Sequence, residues 1–149
     1  MLRGSSFLLE KSSRNYSRLI TGISKTSPRL WEIDVDKYDN KNIELLLTCK
    51  QQIANSLGEE NSPTDTLITK IMLGVFANIP AFDQFFKKTF GLYRADKKSL
   101  FKIKRFYDTN RVVIDEIKIP TLEFLTREET DIFYTKAKLI DMYGFIKGQ

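Results

Sequence analysis

The chain has 149 residues, 42% hydrophobic and 29% charged, a composition that fits one folded helical domain over residues 1–149 and excludes an intrinsically disordered chain. With no histidine and one cysteine, Cys49, it excludes Ser-His and Cys-His nucleophilic chemistry, His-ligated zinc and an internal disulfide. The net charge of +5 is unevenly spread, and a basic stripe can meet phosphate, an acidic protein or an anionic membrane, or be a solvated face that balances the acidic segment of the same chain.

In chain order, the first 30 residues read as a loosely packed N-terminal segment. Residues 1–20 are rich in Ser and Arg, with Glu10 as the one acid. Two readings stay open for them, a targeting-like leader and the lead-in of a small bacterial protein. Tyr16, Leu19, Ile20 and Ile23 fall at helical spacing, interrupted by Gly22, and Pro28 closes the segment. Residues 33–36 alternate apolar and polar, as a short extended piece would. Asp36 with Asp39 also fits a helix start. Ile43, Leu46, Leu47, Lys50, Ile53, Ala54 and Leu57 then trace an amphipathic helix that Gly58 ends.

Ser62 as N-cap, Pro63 at the first helical position and Asp65 predict the next start. The helix that follows, about 64–77, is apolar nearly all round (Leu67, Ile68, Ile71, Met72, Leu73, Val75, Phe76), so it belongs at the centre of the fold. Lys70 is its one interior charge, and Gly74 offers room for close approach by a backbone or a ligand. Pro80 starts a helix through Phe90, stopped by Gly91, with Asp83 in its first turn. Asp96 or Ser99 starts another through Leu100, Ile103, Phe106 and Tyr107. The stretch around Pro120 reads as an extended connector. Thr126 with Glu129 matches a capping box for a last helix buried through Ile132, Phe133, Ala137, Ile140 and Tyr143. The fold class is therefore all-α, about six helices around the central hydrophobic one. No apolar run approaches the roughly 18 residues of a bilayer span, so no membrane association is expected and a cytoplasmic protein is the reading.

Asp34 and Asp36 spell D-x-D, which reads as a turn acid and a cap, because hard cations take about six oxygens and no others stand nearby. Cys49 sits on an apolar stripe as a small buried thiol. Residues 87–105 hold Lys87, Lys88, Arg94, Lys97, Lys98, Lys102, Lys104 and Arg105 against the single acid Asp96, while residues 32–65 carry eight acids against three bases. Cations interleaved with rings make the recurrent surface for single-stranded nucleic acid. Phe82, Phe85, Phe86 and Phe90 recur at helical spacing and read as core, whereas Tyr93, Phe101 and Tyr107 stay open. Asp83 has two readings: a carboxylate that favours its helix N-terminus, or a functional acid coupled to Lys70.

Two resemblances follow from these residues. "TLITKIMLGVFANIPAFDQFFKKTFGL" with "AKLIDMYGFIKG" resembles a group of small bacterial proteins sharing T-x-x-T-K-I-x-L-G, P-A-x-D and K-L-x-D-M-Y; the likeness implies a bacterial or phage source and no particular reaction. "IPAFDQFFKKTFGL" is similar to a segment of helix-hairpin-helix DNA glycosylases, in which an aspartate at this place stabilises positive charge on the sugar as the base departs. That likeness implies a catalytic role for Asp83. The chain departs from the pattern where a Gly-rich hairpin should hold phosphate, since "GEENSPTDT" is acidic, and where Thr-His should follow the aspartate, since Gln84 and Phe85 stand there.

The expected function is that of a small basic helical protein binding nucleic acid through the Lys/Arg-aromatic surface of residues 87–105. The alternative is a protein-interaction module of a bacterial or phage defence, toxin-antitoxin or inhibitor system, meeting an acidic partner. Catalysis by Asp83 and Lys70 comes third. No cofactor and no metal are called for.

Overall fold

A computed structural model describes residues 16–58 and 63–149. Five of the seven α-helices among the described residues start at a short polar side chain that accepts from an otherwise unpaired first-turn N–H group. Helix α1, Ser17–Ser24, includes Gly22, where a Cβ would stand 2.6 Å from Ser56 Oγ. The glycine that broke the sequence periodicity is what lets α1 lie against the next helix. That helix, α2 (Asn40–Leu57), starts where the Asp39 carboxylate accepts from Asn42 N at 2.7 Å and ends at Gly58, whose φ is +91°. Between them lie 3-10 turns at Pro28–Trp31 and Val35–Lys37. Residues 33–36 are therefore not an extended strand, because Asp34 caps the second turn by accepting from Val35 N.

Helix α3, Asp65–Phe76, is capped by the Thr64 hydroxyl, which accepts from Leu67 N. The expected cap Ser62 lies outside the described residues, and Pro63 precedes the helix instead of opening it. Leu67, Ile68, Thr69, Met72 and Phe76 are buried, but Gly74 and Val75 face solvent, and a Cβ at Gly74 would meet nothing within 4 Å. The close approach expected at Gly74 is absent because that side of α3 lies at the surface.

Helix α4, Gln84–Phe90, begins at Asp83 and stops at Gly91, φ +62°. Pro80 lies three residues ahead of the cap and belongs to the preceding loop. Helix α5, Lys97–Thr109, starts where Asp96 accepts from Ser99 N at 2.8 Å. It breaks at Asn110 and continues as α6, Arg111–Glu116. Strands β1 (Pro120–Leu122) and β2 (Glu129–Phe133) form an antiparallel hairpin, Pro120 opposite Phe133 and Leu122 opposite Glu129. Helix α7, Lys136–Gly148, is capped by Thr135 and closes the chain against α4.

The hairpin corrects the sequence reading of its stretch. Thr126 and Glu129 form no capping box: Thr126 lies in the turn and Glu129 opens β2, so Ile132 and Phe133 are exposed strand residues. The Glu123 carboxylate accepts from Leu125 N and Thr126 N, shaping the turn, and Arg127 takes the left-handed conformation, φ 62°. Thr121 and Thr130 hydroxyls meet across the strands at 2.6 Å.

The architecture is thus mainly α-helical, seven α-helices and one hairpin among the described residues. One hydrophobic cluster runs from Val35, Ile43 and Leu46 through Met72, Phe82 and Phe86 to Leu100, Ile103 and Ile140. No helix among the described residues is long and apolar enough to cross a membrane.

Candidate nucleic-acid interface

The segment from Ala77 to Asp83 joins α3 to α4 through the middle of the fold, where unpaired backbone groups would be costly. Five side chains satisfy it. Tyr38 donates to Asn78 O at 2.6 Å, and Asn78 donates to Leu30 O at 2.9 Å. Thr135 donates to Ala77 O, and Thr66 donates to Phe82 O, both at 2.6 Å. Thr69 accepts from Phe82 N at 2.9 Å, and the Asp141 carboxylate accepts from Ala81 N at 2.9 Å. Thr66, Thr69 and Asp141 thus converge on this one loop as backbone partners.

Asp83 Oδ1 accepts from Phe85 N and Phe86 N, both at 3.0 Å, so the residue caps α4. Lys70 forms no ion pair with it: among the described residues the half-buried Lys70 ammonium has no hydrogen bond or ion pair. The carboxylate near Asp83 is that of Asp141. Burial pushes the Asp141 carboxyl above its usual value, the Ala81 N–H and Lys138 pull it back, and the charge of Asp83 adds to the rise.

The D-x-D pair is also structural. Asp34 accepts from Val35 N, Lys136 N and Ala137 N at 2.7 to 2.9 Å, tying the turn at Val35 to the start of α7. Burial nonetheless raises its carboxyl above the ordinary value, against the pull of those backbone donors. Asp36 faces Lys136 at 3.7 Å. Among the described residues no group of three possible ligands is placed to hold a metal ion. Cys49 is buried, and burial pushes its thiol up to about 11. Such a thiol carries almost no thiolate at neutral pH.

The eight cations expected at the interface divide into two groups. Lys87 donates to Thr66 Oγ1 at 3.1 Å, and Lys88 donates to Gly148 O at 2.9 Å, completing the C-terminal turn of α7. Lys97 pairs with Glu44 at 2.9 Å, and Lys104 pairs with Asp108 and stands over the Tyr107 ring. Arg94, Lys98, Lys102 and Arg105 are exposed and have no hydrogen bond or ion pair for their charged groups among the described residues. Lys98, Phe101, Lys102 and Arg105 follow i, i+3, i+4, i+7 spacing, so one face of α5 presents three cations and a ring. Tyr93, 73% exposed, stands beside Arg94 in the turn leading into α5.

Phe82, Phe86, Phe90 and Tyr107 pack inward instead. Phe82 and Phe86 are fully buried, while Phe90 meets Phe86, Phe106 and Tyr143 at centroid distances of 4.6, 5.0 and 6.1 Å. Tyr107 is buried and donates to Asp115 at 2.9 Å; burial first, then Asp115, pushes its hydroxyl up to about 12. Composition alone does not reveal Lys50, which bridges Asp65 at 2.7 Å and Ala95 O at 2.8 Å while Asp65 accepts from Ala95 N. A lysine within the otherwise apolar series Ile43, Leu46, Leu47, Lys50, Ile53 was the available signal. Compared with protein families, curated proteins and solved structures, the chain matches none.

Proposed function

We propose that this protein binds single-stranded or unstacked nucleic acid through the α5 face carrying Lys98, Phe101, Lys102 and Arg105, extended by Tyr93 and Arg94. The supporting observation is that among the described residues these four cations have no hydrogen bond or ion pair for their charged groups, whereas the other four of the basic block do. Unpaired cations at one-turn spacing sum into a positive field that attracts phosphate. Exposed rings add about 1 to 3 kcal/mol per stacked base.

The role of Asp83 in this reading is architectural. A glycosylase-like reaction would have to use Asp83 Oδ2, since Oδ1 is held by the backbone of α4. The second reading, a protein-interaction module of the defence, toxin-antitoxin or inhibitor kind, is favoured by the exposed apolar side chains of the hairpin.

Fluorescence anisotropy with a single-stranded oligonucleotide tests the first reading. Four neutralised phosphates give a log–log salt dependence of about −3, at roughly 0.7 per contact. Joint Lys98→Glu and Lys102→Glu substitution should weaken binding by more than about tenfold. A protein that fails to bind at low salt, or a folded double variant that binds as tightly as the natural sequence, refutes the assignment.

A further inference from the structure

The hairpin has no evident use in the fold. Leu122, Phe124, Leu125, Ile132 and Phe133 are 56, 77, 83, 68 and 49% exposed, which is unusual for five large apolar side chains on one short element. A two-stranded hairpin is marginal by itself in water, and both of its outer edges are unpaired. The charges around these apolar groups narrow what can cover them. Residues 120–134 carry Glu123, Glu128, Glu129 and Asp131 against Arg127 alone, a net −3. Glu123 is engaged in its own turn, and Arg127 lies 5.6 Å from the Phe124 ring centroid. Glu128, Glu129 and Asp131 have no ion pair among the described residues. Such a rim repels phosphate and anionic lipid, and it opposes hairpin-on-hairpin pairing between two copies. It favours a cationic surface with an exposed ring, and the same chain presents one in Lys98, Phe101, Lys102 and Arg105.

We propose that the acidic, apolar hairpin of one molecule docks on the basic α5 face of a second copy. The contact joins two different surfaces, so it is head-to-tail and propagates into rings or open chains instead of stopping at a twofold dimer. Phe124 and Leu125 supply the apolar contact, and Glu128, Glu129 and Asp131 meet Lys98, Lys102 and Arg105.

Sedimentation velocity over a range of protein concentrations tests this. The expected result is a mass that rises with concentration at low salt and falls toward the monomer at about 1 M sodium chloride, where charges are screened beyond about 3 Å. Two charge-reversed variants sharpen it: Lys98→Glu with Lys102→Glu, and Glu129→Lys with Asp131→Lys. Each alone should be at least about tenfold weaker in self-association, and an equimolar mixture should associate again, because each variant's hairpin then matches the other's α5 face. All four positions are exposed, and unchanged thermal unfolding of each variant verifies its fold. A natural protein that is monomeric at every concentration, or folded variants that associate as before, overturns the inference. Oligonucleotide binding by a strict monomer would do so while leaving the proposed function standing. Self-association without oligonucleotide binding would do the reverse.

Discussion

At Asp83, one carboxylate oxygen holds two backbone N–H groups at the start of α4, and that geometry sets what substitution does. Asp83→Ala should lower stability by about 1 kcal/mol and Asp83→Asn by only a few tenths, since asparagine caps as well as aspartate. Urea denaturation of both variants checks this; an equal loss in the two would mean the charge matters more than the acceptor. The neighbouring Asp141 makes a pH-dependent prediction. Its carboxyl titrates above the ordinary value of 3.8, chiefly through burial, so the folded state binds a proton that the unfolded chain has already released. The stability it contributes is complete below that ordinary value and is lost as pH rises through the folded one. Asp141→Asn keeps an acceptor for Ala81 N without the charge. The stability of the natural protein relative to this variant should therefore decline as pH rises from about 3.8 upward. Denaturation curves at several pH values would contradict this if the difference grew instead.

Helices α4 and α7 approach so closely that the glycines of α7 are fixed by space. A Cβ on Gly144 would stand 2.6 Å from Phe86 Cδ2 and 3.0 Å from Phe90 Cε2. In an open helix Gly→Ala stabilises by up to about 1 kcal/mol. Here Gly144→Ala should destabilise by about 1 to 3 kcal/mol through overpacking, and a raised melting temperature would contradict the packing described. The elements were legible in the sequence where cap and periodicity agreed, as at Asp96 with Leu100 to Tyr107, whereas the start read at Asp36 lies three residues early because Asp39 is the cap. The hairpin was not. Its turn lacks the Asn-Gly or Gly that normally marks one, because Arg127 takes the left-handed position. Thr126 and Glu129 also copy the spacing of a capping box. Gly74 misled for a related reason: composition reports the absence of a side chain but not whether a neighbour fills the space.

Across the whole molecule, charge is divided between an acidic apolar hairpin and a basic helix face. The clustering of cations at 87–105 was readable from the sequence, and so was their proximity to rings. Which cations are free was not, because that depends on partners far along the chain: Glu44 for Lys97, Gly148 for Lys88 and Thr66 for Lys87. The four left over define the proposed interface. Backbone amide chemical shifts recorded while a single-stranded oligonucleotide is added at low salt test that claim most directly. The account predicts that the perturbed amides fall within residues 93–105 and that the shifts disappear as salt is raised. Shifts confined to the hairpin or to the Asp83 loop, or none at all, would contradict it.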